Sequence, residues 1–174
     1  MIQATIFVLG FLVIVAVSWL SLRRPNAYGV YRFFAFLGIL ALIVLNAPLW
    51  LRAPLSALQI LSWLMLCGSI VLAVHGFQLL RTVGRPDGHL ENTTEVVRVG
   101  AYRYIRHPLY ASLLLLGGGA FLKAPSLTGV IVLFMVVVSL IATARVEEQE
   151  NMTRFGDAYA DYMKTTKMFV PGIW

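Results

Sequence analysis

The stretch LYASLLLLGGGAFLKAPSLTGVIVLFMVVVSLIATA, residues 109–144, is apolar over almost its whole length. It holds two apolar runs, 109–122 and 127–144, which are separated only by the residues KAPS at 123–126. About 20 apolar residues span the hydrocarbon core of a bilayer, so the second run is close to that length and the first is short. We expect a tight helical hairpin in a membrane, with Ser126 as the N-cap of its second helix.

Three further apolar runs precede this hairpin, at residues 2–22, 33–51 and 55–80. Hydrophobic residues make up 59% of the 174-residue chain and charged residues only 13%, and the mean hydropathy is +0.80. These values lie far from those of soluble domains. The sequence therefore predicts an all-α polytopic membrane protein with about five transmembrane helices, the last two forming the hairpin, and with a cytosolic C-terminal helix.

The basic residues fall mainly on one side of the five predicted spans. Of the 14 lysines and arginines, Arg52 and Lys123 lie on one side and the other twelve on the opposite side, together with all eight acidic residues. The positive-inside rule then places the N-terminus outside and the loop 81–107 and the C-terminal tail in the cytosol. By default we expect the inner membrane of a prokaryote.

The composition also excludes several classes of function. A net charge of +6 is compatible with nucleic-acid binding, yet no basic run is interleaved with aromatic residues outside the apolar segments, so we expect lipid and not nucleic acid as the partner. The single Cys67 rules out an intrachain disulfide and a cysteine-based zinc site. The three histidines show no metal-binding spacing, and no metal is expected. The sequence leaves the oligomeric state open.

A first polar cluster, GAYRYIRHPLY at residues 100–110, precedes the fourth predicted helix. Proline is favoured at the first helical position, so this helix should begin at Pro108. Arg106 and His107 then lie at its positive end, where an anionic group is stabilised by the helix dipole and the arginines. The alternative is that the arginines only hold the loop at the membrane surface.

A second cluster, RVEEQE at residues 145–150, follows the fifth span without a helix breaker, so that helix should continue into the cytosol. Adjacent glutamates point about 100° apart, and at most one faces inward easily. Glu150 can pair with Arg154 on a solvated face. Glu147 and Glu148 are the better functional candidates, because they emerge close to Arg106 and His107.

Two further groups of side chains have both a structural and a functional interpretation. Phe155, Tyr159 and Tyr162 follow helical spacing, which is typical of packing and is compatible with ligand contact. In the third helix His75, Gln78 and Thr82 share one face near its cytosolic end, either as pocket residues or as hydrogen-bonded packing residues. The run Gly117, Gly118, Gly119 follows no strand and indicates close helix packing.

From about residue 80 to its end, the chain resembles the isoprenylcysteine carboxyl methyltransferase family of membrane enzymes, a group related to phospholipid N-methyltransferases. The resemblance is carried by the cluster at 100–110, by RVEE at 145–148, by FG at 155–156 with the two following tyrosines, and by Pro171. The length and the ending are similar to those of short bacterial members.

This resemblance implies an S-adenosylmethionine-dependent methyltransferase, with a carboxylate of isoprenylcysteine type as the lipid-like acceptor. The apolar runs predict three N-terminal transmembrane helices at 1–80, and the resemblance implies a catalytic half at 81–174. Catalytic roles are implied for Arg106 and Glu148. The implied cofactor-binding residues are Tyr102, Arg106, His107, Pro108, Tyr110, Glu147, Glu148, Tyr159 and Tyr162. Candidates for substrate contact are His75, Gln78, Lys164 and Lys167.

Three other functions remain open at this point. One is N-methylation of a phospholipid, and another is an NADPH-dependent reduction, since membrane sterol reductases look similar in the Arg-His and terminal tyrosine regions. A third is a non-catalytic membrane scaffold whose charges only anchor its loops. Binding of S-adenosylhomocysteine, of NADPH or of neither would separate the methyltransferases from the other two.

Overall fold

A computed structural model of the chain describes residues 2–23, 28–52, 55–87 and 93–173. In these residues the fold is all-α, without strands. The six α-helices are α1 (Ile2–Leu22), α2 (Tyr28–Asn46), α3 (Ala57–Thr82), α4 (Pro108–Leu122), α5 (Leu127–Phe155) and α6 (Asp157–Thr165). Two 3₁₀ turns, Ala47–Leu49 and Gly100–Arg103, follow α2 and precede α4.

Four of these helices are long and apolar enough to cross a membrane: α1, α2 extended to Leu49, α3 and α5. The shorter α4 has 15 residues, as the length of its apolar run predicted. The prediction of an all-α polytopic membrane protein is confirmed. The protein is an integral membrane protein in which many large apolar side chains, such as Leu64, Val71 and Phe134, lie exposed on the outer surface, where lipid would cover them.

The short α4 packs most extensively against α3 and also contacts α2 and α5. Its glycines allow this close approach. A Cβ atom at Gly118 would lie 2.5 Å from Cε of Met65, and one at Gly119 would lie 2.9 Å from Cγ of Leu66. The predicted role of the glycine run in close packing is confirmed, since small residues let helix backbones approach in a bilayer.

Local signals in the sequence fix the ends of the hairpin helices. Pro108 is the first residue of α4, and the Ser126 hydroxyl accepts a hydrogen bond from the Gly129 amide at 3.0 Å, which caps α5. Both predictions are confirmed. α5 continues past the apolar run to Phe155, as expected, whereas α2 begins at Tyr28, five residues before its apolar run.

The C-terminal tail runs back along the segment that precedes α4. The amides of Arg106 and His107 donate to the carbonyls of Lys167 and Met168 at 2.8 and 3.1 Å. Met168 and Phe169 are buried and join the core with Ile105. The tail therefore holds the start of α4 in place.

A polar cluster surrounds Lys123 at the other end of the bundle from the C-terminal tail and the start of α4. Lys123 is only 3% exposed. Its amine donates to Oε1 of Gln59 at 3.1 Å and lies 3.4 Å from the centre of the Trp63 ring. The Gln59 amide in turn donates to the Lys123 carbonyl at 2.9 Å. Lys123 thus links the α4–α5 turn to α3 through hydrogen bonds and a cation–π contact.

We expect Lys123→Ala to lower the free energy of unfolding by about 1–3 kcal/mol, because it leaves the buried Gln59 carbonyl oxygen without its donor. The measurement is thermal or SDS-induced unfolding in detergent micelles. Lys164→Ala is the matched control, since Lys164 pairs with Asp161 on the exposed surface and should have no measurable effect. Equal losses in the two variants would contradict the role of Lys123.

The charge asymmetry predicts the orientation of the bundle. A reporter fused after the last residue should be active in the cytosol. In a Cys67→Ser background, a cysteine at the exposed Pro125 of the α4–α5 turn should react with an impermeant maleimide added from outside. Pro125 is the better position in this turn, because Lys123 is buried. Labelling from the cytosolic side alone would exclude this orientation.

Candidate functional site

Antiparallel helices bring the starts of α2 and α4 and the ends of α3 and α5 to one end of the bundle, where a cavity of about 350 Å³ lies. The polar and aromatic residues of several elements converge on it, which is typical of small-molecule sites. The polar and ionisable side chains that line it include Tyr28, Arg32, Tyr102, Arg106, His107, Tyr110, Glu147, Asn151, Tyr159 and Tyr162.

An ion pair between Arg106 and Glu148 lies beside the cavity. Nε of Arg106 donates to Oε1 of Glu148 at 2.6 Å, and both side chains are 10% exposed. Nη1 of Arg106 donates to the carbonyl of Thr166 at 2.6 Å. The guanidinium is held from two directions, by α5 and by the residue that follows α6, so its orientation in the cavity wall is fixed.

His107 is fixed by the same carboxylate. Its Nε2 lies 3.3 Å from Oε1 of Glu148, and because a carboxylate only accepts, this bond requires the proton on Nε2. The ring stacks on Tyr110 with 5.5 Å between the ring centres and contacts Phe169 of the tail. His107 is therefore a positioned, buried imidazole.

Glu147 faces the cavity and ends a chain of hydrogen bonds. The Tyr110 hydroxyl donates to Oε2 of Glu147 at 2.6 Å, the hydroxyls of Tyr28 and Tyr110 are 2.9 Å apart, and Nη1 of Arg32 donates to the Tyr28 hydroxyl at 3.2 Å. A guanidinium cannot accept and a carboxylate cannot donate, so the chain runs in one direction, from Arg32 through both tyrosines to Glu147.

Aromatic rings from the 3₁₀ turn and α6 form a further part of the wall. The Tyr162 hydroxyl donates to the Tyr102 carbonyl at 2.6 Å, and the rings of Tyr159 and Tyr162 meet edge to face with their centres 5.7 Å apart. Burial raises the pKa values of Tyr102, Tyr159 and Tyr162 well above the usual value for tyrosine. The three rings therefore stay neutral at physiological pH and present electron-rich faces.

A short segment that precedes the 3₁₀ turn Gly100–Arg103 lines one side of the cavity. Thr93, Val96 and Val97 line it from this side. Arg98 donates to the Ala158 carbonyl and lies over the Tyr162 ring, which ties the segment to α6. The segment therefore forms part of the cavity wall together with the helices.

A second, more open groove of about 570 Å³ lies on the outer face of α3. Phe77, Gln78 and Arg81 line it, and it shares Ala73 and Leu109 with the cavity. The two spaces are therefore adjacent, separated by side chains that contact both.

The structure brings together most of the residues that the sequence nominated. Seven of the nine proposed cofactor-binding residues line the cavity: Tyr102, Arg106, His107, Tyr110, Glu147, Tyr159 and Tyr162. Glu148 lies beside it, bonded to Arg106 and His107, and Pro108 is buried in the first turn of α4. Their roles in binding stay predictions.

The four candidates for substrate contact are dispersed. Gln78 lines the outer groove, whereas His75 accepts from the Ala101 amide at 3.4 Å on the outside of the cavity. Lys164 pairs with Asp161 in solvent, and Lys167 contributes backbone hydrogen bonds to the bridge with Ile105. Within the described residues, neither the cavity nor the outer groove is lined by His75, Lys164 or Lys167.

Sequence reasoning missed the contributions of α2, Tyr28 and Arg32. A signal for them was present, because an arginine and a tyrosine four residues apart share one helix face, and the start of α2 lies at the same end of the bundle as the start of α4. Asn151, one turn beyond Glu147, was missed as well.

A polytopic helical bundle with a charged and aromatic cavity at one end is typical of a membrane enzyme. A family model for phospholipid methyltransferases matches residues 57–158, more than half of the chain, and the chain belongs to this family. The protein is thus a membrane methyltransferase that acts on a lipid-like substrate. The family is related to the isoprenylcysteine-type enzymes that the polar motifs resemble. No curated protein matches the chain.

Proposed function

We propose that the protein transfers the methyl group of S-adenosylmethionine to a lipid-borne acceptor in the cavity at the end of the bundle. The observation that carries this proposal is the convergence of Arg106, Glu147 and three tyrosine rings on one cavity beside a lipid-facing groove. The family assignment favours this chemistry over NADPH-dependent reduction and over a non-catalytic scaffold.

The side chains present fit S-adenosylmethionine. Its methionyl part carries an ammonium and a carboxylate, which match the Glu147 carboxylate and the Arg106 guanidinium. Its sulfonium is a cation that suits the faces of neutral tyrosine rings. When bound, this cofactor would supply an electrophilic methyl group for in-line displacement by the acceptor.

The geometry favours distinct roles for the two glutamates. Glu147 lines the cavity and is assigned to the methionyl ammonium. Glu148 acts through Arg106 and His107, whose orientations it fixes, and is therefore a positioning residue. Arg106 remains assigned to an anionic group. The protein contributes alignment and exclusion of water, which a displacement reaction needs most.

For the acceptor we propose a carboxylate of isoprenylcysteine type. A carboxylate, with a pKa near 4, is already ionised at neutral pH and needs only placement and desolvation. Arg106 lines the cavity and is held in place by Glu148, and its planar guanidinium can bind a carboxylate.

The second candidate is the amine of a phospholipid. The description of the family favours it, and so does Glu147, whose carboxylate can accept a hydrogen bond from an ammonium headgroup. An ammonium must lose a proton before it can attack, so this reaction needs a base as well as alignment.

The position of the outer groove supports access of the acceptor from the bilayer. The groove shares Ala73 and Leu109 with the cavity, so an alkyl chain in the groove leads its headgroup to the site. Each buried CH₂ stabilises a chain in the apolar phase by about 0.8 kcal/mol, so a long-chain acceptor stays in the bilayer.

S-adenosylhomocysteine should stabilise the purified protein in a thermal-shift assay. Variants of residues assigned to the pocket should bind it more weakly than a variant outside the pocket. Arg106→Ala, Glu147→Gln and Glu148→Gln should weaken its binding about tenfold to hundredfold, the loss expected for one charge-assisted hydrogen bond. Glu150→Gln is the control, since the cavity lining does not include Glu150. Equal affinities for all four variants would defeat the assignment of the pocket.

Incubation of membranes with methyl-labelled cofactor should identify the bond that forms. A methyl ester releases volatile methanol in mild alkali, whereas an N-methyl group stays on the lipid headgroup. We expect alkali-labile label in the lipid extract, and tail-truncated analogues should react poorly at the same bulk concentration. Alkali-stable label would support the phospholipid amine instead, and equal turnover of tail-less analogues would rule out access from the bilayer.

A further inference from the structure

Helix α2 contributes to the cavity a buried hydroxyl that has no role in the mechanism above, that of Tyr28. Tyr28 is only 1% exposed and is the first residue of α2, outside the segment 57–158 that matches the family. The end of α1 packs closely beside it, since a Cβ atom at Gly29 would overlap the Ser21 carbonyl. The backbone at Tyr28 is therefore held by the packing of α1 against α2.

The Tyr28 hydroxyl reaches the carboxylate assigned to the cofactor through one intermediate. It lies 2.9 Å from the Tyr110 hydroxyl, which donates to Oε2 of Glu147 at 2.6 Å. A tyrosine hydroxyl has one proton, and Tyr110 gives its proton to Glu147, so Tyr28 is the donor to Tyr110. The hydrogen bonds of both tyrosines therefore point toward Glu147.

Glu147 depends on this support more than its neighbour does. Its side chain is 26% exposed, whereas that of Glu148 is 10% exposed and is held by Arg106 and His107. Nδ1 of His107 lies 3.9 Å from Oε2 of Glu147, which is beyond hydrogen-bond distance. The bond from Tyr110 therefore places Oε2, and Oε1 can accept a hydrogen bond from a ligand.

The other end of the chain favours an orienting role over proton transfer. Nη1 of Arg32 donates to the Tyr28 hydroxyl at 3.2 Å. A guanidinium stays protonated and cannot accept, so a proton taken up by Glu147 cannot leave through Arg32. The bonds from Arg32 to Glu147 are therefore suited to holding the carboxylate in one orientation.

We propose that Tyr28 is a positioning residue for the cofactor, which acts through Tyr110 to orient the Glu147 carboxylate toward the ammonium of S-adenosylmethionine. This inference rests on the proposed function and adds to it a residue outside the segment that matches the family. Without the Tyr28 hydroxyl, the Tyr110 hydroxyl loses its donor, and its own proton is no longer directed to Glu147. Tyr28 acts in this role through Tyr110 and not by contact with the reacting atoms.

The test measures the affinity of the purified full chain, in neutral detergent, for S-adenosylhomocysteine. Tyr28→Phe removes the hydroxyl and keeps the buried ring, and it should weaken binding about threefold to tenfold, the loss expected for one hydrogen bond between neutral groups. Tyr31→Phe is the matched control, since Tyr31 lies on the same helix, is 37% exposed and is not among the residues that line the cavity. An unchanged affinity in Tyr28→Phe would overturn the proposal.

Two further measurements distinguish an orienting role from a general loss of packing. In a Tyr110→Phe background, Tyr28→Phe should cause no further loss of affinity, because the link to Glu147 is already broken. The loss in Tyr28→Phe should also disappear with the deamino analogue of S-adenosylhomocysteine, which lacks the ammonium assigned to Glu147. Additive losses in the double variant, or an equal loss with the analogue, would refute the orienting role.

Tyr110→Phe decides the matter if Tyr28→Phe does not fold, because it breaks the same chain beside Glu147. A loss of affinity for S-adenosylhomocysteine that disappears with the deamino analogue supports the proposal. An affinity equal to that of the wild type overturns it.

Turnover separates this inference from the proposed function. In methyl-transfer assays Tyr28→Phe should raise KM for S-adenosylmethionine and leave KM for the lipid acceptor unchanged. If the wild type does not bind S-adenosylhomocysteine, the proposed function fails and this inference fails with it. If the wild type binds it and Tyr28→Phe binds it equally well, only the role of Tyr28 is refuted.

Discussion

The ion pair between Arg106 and Glu148 is the contact on which the polar end of the molecule depends. It joins the segment before α4 to α5, while Nη1 of the guanidinium donates to the Thr166 carbonyl after α6. Breaking a buried pair by removing one partner leaves an uncompensated charge and is strongly destabilising. One guanidinium therefore holds the segment before α4, the helix α5 and the segment after α6 in position. The rigidity of this part of the cavity wall depends on that contact.

The up-and-down path of the helices decides which residues can meet. A chain that crosses a bilayer repeatedly brings every second turn to the same side, and the costly polar groups gather where they can satisfy one another. The site draws on α2 and on α6 as well as on the matched segment 57–158. The expected division of the chain at residue 80 stays a prediction, and the cavity includes side chains from both sides of it.

The elements of the fold could be predicted from the sequence because they depend on local signals. Apolar length predicted the spans, Pro108 the start of α4 and Ser126 the cap of α5. The distinct positions of Glu147 and Glu148 could not be predicted, since they depend on the rotation of α5 against α4, which is a matter of tertiary packing. The role of Tyr28 is likewise non-local, because its partner Tyr110 lies 82 residues away in the chain.

The shortness of α4 has a consequence for the surrounding lipid. Its 15 residues extend about 22 Å at 1.5 Å per residue, against roughly 30 Å for the hydrocarbon core. For α4 to cross the bilayer, the bilayer would have to thin locally around it, or Arg106 and His107 would have to lie below the headgroups, each at a modest energetic cost for every ångström of mismatch. The depth of the site below the headgroups would then depend on membrane thickness, and it would differ between thin and thick bilayers.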